Sequence, residues 1–266
     1  MERNIKLHFI RSGLLTAVCA TATWGVPKAI ESPRLPVVEI LYPPGGSLLD
    51  RLCETDFKMQ VDNQAVQAAV RKRLELQKQW DAEGPAYMDA ALSEVGLDFP
   101  YHEMQATLTV CLPASTSIPL IIDVNEFLPT AKKPAPAWEF SEIMFHELMH
   151  TYVSPVFIHS ALMKKYQSEA PTTRYHLHVM AVEKMTLLKL KRLDDLKTID
   201  HEYRNGPDTA YKRAWKIVSD IEGYQAFIKE LVALTKSTLD TKPLAKNEPP
   251  STRLVSERKP IEKDYS

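Results

Sequence analysis

Glycine is scarce in this chain, at 8 of 266 residues, while proline numbers 19. That balance argues against a protein built on glycine-rich turns and for a helix-rich one whose segments stop at proline. An excess of one charge is also missing. The 33 Lys and Arg residues nearly match the 34 Asp and Glu, so there is no electrostatic case for nucleic acid. Cysteine is limited to Cys19, Cys53 and Cys111. What the chain does have is an apolar fraction of 44%, ample for a core, and a length that suits one large domain or two small ones.

The N-terminus reads as a secretion signal over residues 1–22. Arg3, Lys6 and Arg11 give a positive start, and Leu14-Leu15-Thr16-Ala17-Val18-Cys19-Ala20 a short apolar core. Ala20-Thr21-Ala22 offers a small-residue cleavage site, so the mature chain is expected to begin at Thr23, in the periplasm or secreted. The apolar run is short for a membrane span, so no stable span is expected once the signal is removed. An uncleaved anchor and a plain N-terminal helix are the competing readings. A lipoprotein would want Gly, Ala or Ser just before Cys19, where Val18 stands. Cleavage removes Cys19 and leaves Cys53 and Cys111, expected to pair in an oxidising compartment, with two buried thiols as the alternative.

Taken in order, Leu35 to Tyr42 is β-branched and apolar and reads as a strand ended by Pro43-Pro44-Gly45-Gly46. Asn63 to Glu83 reads as a helix capped by Asp62, with Val66, Val70, Leu74, Gln77 and Trp80 on one face, broken by Gly84-Pro85. A shorter helix, Tyr87 to Val95, closes at Gly96. Met104 to Leu112 and Ile118 to Val124 are strand candidates that can form a hairpin across Pro113 to Ser117. Lys132 to Pro136 is a proline-rich connector. Beyond Pro155, helices are expected over Phe157 to Gln167, Thr172 to about Leu196 and Asp208 to Thr235. The last carries Trp215, Ile221, Tyr224, Phe227 and Leu231 as its apolar side. From Leu239 to Ser266, Pro, Lys, Glu and Ser dominate, which reads as a disordered tail. The fold class expected is α+β and helix-rich, with a small sheet before the central helix and a mostly helical C-terminal half.

That central helix holds Glu142-Ile143-Met144-Phe145-His146-Glu147-Leu148-Met149-His150-Thr151-Tyr152. His146 and His150 stand at i and i+4, on one face, where two imidazoles can grip one zinc ion. Glu147 is placed to take a proton from a water on that ion. The neighbours are almost all uncharged, so the helix is expected to be buried nearly all round. Buried histidines and a buried glutamate need partners, and a metal supplies one.

This stretch resembles the zincin metallopeptidases over about a dozen residues. The metzincin branch does not fit, because its further Gly and His would fall on Val153 and Val156. The gluzincin branch fits better, and the run from His150 to Pro155 also resembles a set of uncharacterised bacterial exported proteins. The gluzincin resemblance implies a zincin-like domain over residues 23–238, Zn²⁺ as cofactor, and a glutamate on a later helix as third ligand. Glu183 meets that description among apolar neighbours. The residues flanking it differ from the thermolysin pattern, so that enzyme's surrounding groups are not carried over. His178 is the alternative ligand. It does not share a helical face with Glu183, whereas His176 does and can serve as a transition-state hydrogen-bond donor. His178, Tyr175, Arg174 and Tyr224 are further donor candidates. The resemblance also implies that an edge strand, Met104–Leu112 or Ile118–Val124, pairs with extended substrate; two internal strands are the plainer alternative.

The implied activity is hydrolysis of a peptide or protein substrate by an exported zinc peptidase. A zincin-like domain that binds without catalysis, and a helical periplasmic structural protein with an accidental motif, are the rival readings.

Overall fold

Alternating apolar residues build the first strand of a small sheet. The chain was studied as a computed structural model, which describes residues 34–56, 58, 60–111 and 115–241, with side chains to residue 236. The expected signal sequence and nearly all of the expected tail lie outside these residues. Within them the molecule is helix-rich with a four-stranded mixed sheet, an α+β arrangement. No helix among the described residues is long and apolar enough to cross a membrane.

Strand β1 spans Val37–Leu41 and buries Val38 and Ile40. Two helices follow, α1 over Leu48–Thr55 and α2 over Asn63–Val95. They carry the chain back so that β2, Glu103–Thr109, can lie parallel to β1. Strand β3 is only Thr116–Ser117, and β4 is Leu120–Asp123, giving the order β1-β2-β4-β3. The hairpin expected between the second and third long strands does not form. β2 and β4 pair in parallel, Thr107 facing Ile121, and the tight antiparallel pair is β3 with β4. Alternation reports which face of a strand is buried and not its direction, so the sequence pattern suited either arrangement. It follows that β2 and β4 are both internal, and that the edges of the sheet are β1 and β3.

α1 is fastened to the sheet by one buried side chain. Asp50 accepts hydrogen bonds from Ser47 N (2.8 Å), the Tyr42 hydroxyl (2.8 Å), Thr109 Oγ1 (2.8 Å) and Val110 N (3.0 Å). A Cys53–Cys111 disulfide joins the same two regions, the pairing expected of an exported chain.

α2 runs unbroken through Gly84 and Pro85. A Cβ on Gly84 would sit 2.4 Å from the Trp80 ring, so glycine is what lets that indole lie along the helix. Pro85 forfeits one helical hydrogen bond, a loss of about 3 kcal/mol, but Trp80, Tyr87, Met88 and Leu92 bury both flanks and offset it. Leu74, placed on the apolar face, is 59% exposed, and Ala69 and Leu76 are buried instead. A strict spacing of four drifts by about 40° at each step around a helix of 3.6 residues per turn. Gln77 stays on the inner face for a polar reason. Its amide accepts from Ile40 N (2.7 Å) and donates to Val38 O (3.0 Å), which closes the free edge of β1.

The second half of the domain is helical, with more joints than expected. α3 spans Ala137–Val153 and runs into a 3₁₀ stretch, Ser154–His159, before the short α4, Ala161–Lys165, capped by Ser160. α5 is Pro171–Lys189, and α6, Leu193–Asn205, is a separate helix, because Lys191 takes a positive φ of 58° between them. The helix expected over Asp208 to Thr235 is divided into α7, Thr209–Lys216, a π segment, Ile217–Ile221, and α8, Tyr224–Thr241, with Gly223 at φ 78° at the joint. α3 packs against α2, α5 and the β3–β4 end of the sheet, which is why its motif is buried nearly all round.

Candidate metal centre

Two antiparallel helices bring the chemistry together. On α3, His146 is 5% and Glu147 8% exposed, and His150 is half-buried. On α5, His176 is 7% and Glu183 0% exposed. Glu183 stands beside His146, and His176 stands beside both His146 and His150.

The three imidazoles form one cluster. Ring centroids are 5.1 Å apart for His146–His150, 5.4 Å for His146–His176 and 4.6 Å for His150–His176. Each offers a nitrogen, and these nitrogens lie within 4.8 Å of one another. Hydrogen bonds fix which nitrogens are free. His146 Nδ1 lies 3.0 Å from Glu183 Oε2, and its Nε2 is buried without a partner. His176 Nδ1 lies 2.7 Å from Thr172 O, a carbonyl that can only accept. Nδ1 therefore carries the proton in His176, and in His146 if Glu183 is ionised, and Nε2 is left with its lone pair. Burial, then the neighbouring histidines, holds His150 down at about 2, and burial and His146 hold His176 at about 4. Neutral imidazole is the form that binds metal, so both side chains stand ready to ligate.

Behind His146 sits a second group, Glu142, Glu183 and His146 again, with ligand atoms also within 4.8 Å. Burial raises Glu142 well above the carboxylate range, and the charge of Glu183 adds to this. Burial pushes Glu183 up to about 7, against hydrogen bonds from Glu142 and Tyr203 that lower it. Glu142 Oε1 and Glu183 Oε1 are buried without another donor. Burial thus favours a proton on Glu142, and an ionised Glu183 is the form that accepts from His146 Nδ1. Tyr203 adds its hydroxyl at 3.2 Å from Glu183 Oε2.

A cleft of about 480 Å³ opens onto the histidines, lined by Glu147, His150, His176 and Tyr211, with Thr116 and Ser117 of edge strand β3 at its rim. Burial raises the Glu147 carboxyl above its ordinary value, the direction that suits a proton acceptor working near neutrality. A larger groove of about 1070 Å³ runs along β1 and α2, but no histidine lines it.

No family model, curated protein or solved structure matches the chain. The geometry must carry the reading by itself.

That geometry redistributes the residues expected from sequence. His146, Glu147, His150 and His176 come together. Glu183 is buried at the centre, but it bonds His146 Nδ1 and is not grouped with His150. His178, the alternative ligand, points elsewhere: its Nε2 bonds Glu230 Oε2 at 2.8 Å, and its ring packs on Phe157 and Phe227. His176 and His178 are two apart on one helix and necessarily diverge. Tyr224 does not line the cleft. It begins α8 and packs, partly buried, against the core, because the π segment and Gly223 interrupt the helix that was to present it. Arg174 does not line the cleft either, whereas Tyr175 does.

Three participants went unassigned at the level of sequence. Tyr211 lies 4.1 Å from the His176 ring and 6.2 Å from the His146 ring, centroid to centroid. Burial raises its hydroxyl above the ordinary tyrosine value, so it stays protonated and able to donate. Tyr203 and Glu142 are the others. Glu142 alone carried a signal, since it stands four residues before His146 on the same helical face.

Proposed function

We propose that this chain is an exported zinc-dependent peptidase whose metal is held by Nε2 of His146, His150 and His176. The observation that carries the reading is the three-imidazole cluster, with Nδ1 of His146 and of His176 each engaged elsewhere. Glu183 then acts from behind, orienting His146, in place of the direct ligand that the gluzincin resemblance implies. An all-imidazole set that includes a His-Glu-x-x-His pair would suit zinc. Zinc, when bound, polarises a carbonyl and lowers the pKa of a water to about 7.

The chain's own groups supply the rest. Glu147 receives the proton of the attacking water and delivers it to the leaving amine. The Tyr211 hydroxyl donates to the oxygen of the attacked carbonyl as charge develops there. Thr116 and Ser117 offer a sheet edge beside the cleft, where an extended backbone can be aligned. The buried walls around His146 keep bulk water from that imidazole. The disulfide and the N-terminal sequence accord with export.

The deciding experiment compares the wild-type protein with Glu147→Ala for zinc content and for cleavage of a mixed peptide library. Both should hold one zinc per chain, and only the wild type should cleave. Cleavage by the variant would reject Glu147 as the proton carrier, and no cleavage by a zinc-loaded wild type would reject the enzyme reading in favour of a binding protein.

A further inference from the structure

The wall of the cleft away from the histidines has a composition of its own. Ile118, Phe157 and Tyr175 line it. Ile118 is 75% exposed and Tyr175 50% exposed, so folding alone gains little from either. The Phe157 and Tyr175 rings stack 6.1 Å apart at 24°. The remaining lining is hydroxyl groups and the metal-site residues. Among the described residues no Lys, Arg or Asp lines the cleft, and its one carboxylate is Glu147.

This wall is held from below. His178 packs under Phe157, with ring centroids 5.7 Å apart, and is fixed by its bond to Glu230. Glu230 also accepts from Ser160 Oγ (2.6 Å) and from Leu162 N (2.9 Å), at the end of the turn that carries Phe157. The His178 network, which has no part in binding the metal, therefore sets the position of an aromatic surface beside it. A surface organised in advance loses little conformational entropy when something settles on it.

We infer that the cleft seats an apolar or aromatic side chain of the substrate, next to the bond that is cleaved, on Ile118, Phe157 and Tyr175. This rests on the peptidase reading and adds the substrate class. An acidic side chain is rejected there, because it would lose hydration with no cation to pair it and would face Glu147. Covering about 60 Å² of apolar surface corresponds to about tenfold in Kd.

The test needs no turnover. Zinc content of the full chain is measured first. Binding of acetohydroxamate and of two peptidyl hydroxamates, alike except for a benzyl or a carboxymethyl side chain, is then measured by calorimetry. The benzyl compound should bind about tenfold or more tightly than the acidic one. In the double variant Ile118→Ser, Tyr175→Ala, which changes only exposed positions, that ratio should fall towards one. A ratio near one in the wild type, or one unchanged in the variant, would overturn the inference. So would a zinc-loaded chain that binds acetohydroxamate but neither longer compound, or no hydroxamate at all. A chain that takes up no zinc would reject the peptidase reading itself, and this inference with it.

Discussion

Replacing Glu183 with glutamine separates the two roles that a buried carboxylate can play beside His146. As a direct zinc ligand it could not be replaced by an amide, which binds zinc poorly. As an acceptor for His146 Nδ1, at 3.0 Å, it can be. The substituted amide would keep an oxygen towards Nδ1 and the Tyr203 hydroxyl, and its amino group would turn to Glu142, which could then ionise. What is lost is charge assistance, a difference of about 1 kcal/mol, or roughly fivefold in zinc affinity. Glu183→Ala removes the acceptor altogether and should weaken zinc by about 10–100-fold. His176→Ala removes a ligand. Zinc sites with four ligands bind with about 10–16 kcal/mol, so one ligand is worth roughly 3 kcal/mol, a loss of about 100–1000-fold. Competition against a chromophoric chelator at neutral pH gives all three affinities, with circular dichroism to check that the helices survive. The order expected is Glu183→Gln mildest, then Glu183→Ala, then His176→Ala. If Glu183→Gln costs as much as His176→Ala, or if His176→Ala holds zinc normally, the three-histidine assignment is refuted.

Three more outcomes are expected. Tyr211→Phe keeps the ring beside His146 and His176 and removes only the hydroxyl, so kcat should fall by about 10–100-fold with zinc content unchanged; an unaltered kcat would dismiss it as a donor. Burial pushes Asp123 up to about 6, against hydrogen bonds from Asn125, so its contribution to stability is full below the ordinary aspartate value and is lost as pH rises through 6. Asp123→Asn, which can still accept from Asn125, should therefore gain about 1 kcal/mol on the wild type between pH 4 and pH 7 in urea unfolding, after discounting for partial exposure, and an equal offset at both pH values would refute this. Finally, protein recovered from its native host should begin at Thr23 by intact mass, and a retained Met1 on a cytoplasmic protein would reject export.

Helical period was enough to place His146, Glu147 and His150 on α3, because residues four apart share a face wherever the helix lies. It was enough, too, for the buried character of that helix and for the α+β, helix-rich class. The breaks were less legible. Gly84-Pro85 looks like a stop until Trp80 is seen lying over Gly84, and Lys191 gives no hint that it ends α5 in a left-handed conformation. The first rests on a ring packed within α2 and the second on a backbone conformation, and neither is announced by residue type alone.

A third ligand for the proposed metal could not be read from the chain, because the candidates lie on a different helix from the pair. His176 and Glu183 lie on one face of α5, so helical period admits either. The packing of α3 against α5 sets Glu183 against the Nδ1 side of His146, and His176 beside His146 and His150, which is why the proposed ligand is His176. Tyr211 and Tyr203 arrive from helices further along, and no local pattern announces them. What the sequence determined by itself was the pair of imidazoles and the carboxylate beside them, since a single helix positions all three. What only the tertiary structure decided was which side chains close around that pair, because those distances are set by how separate helices pack.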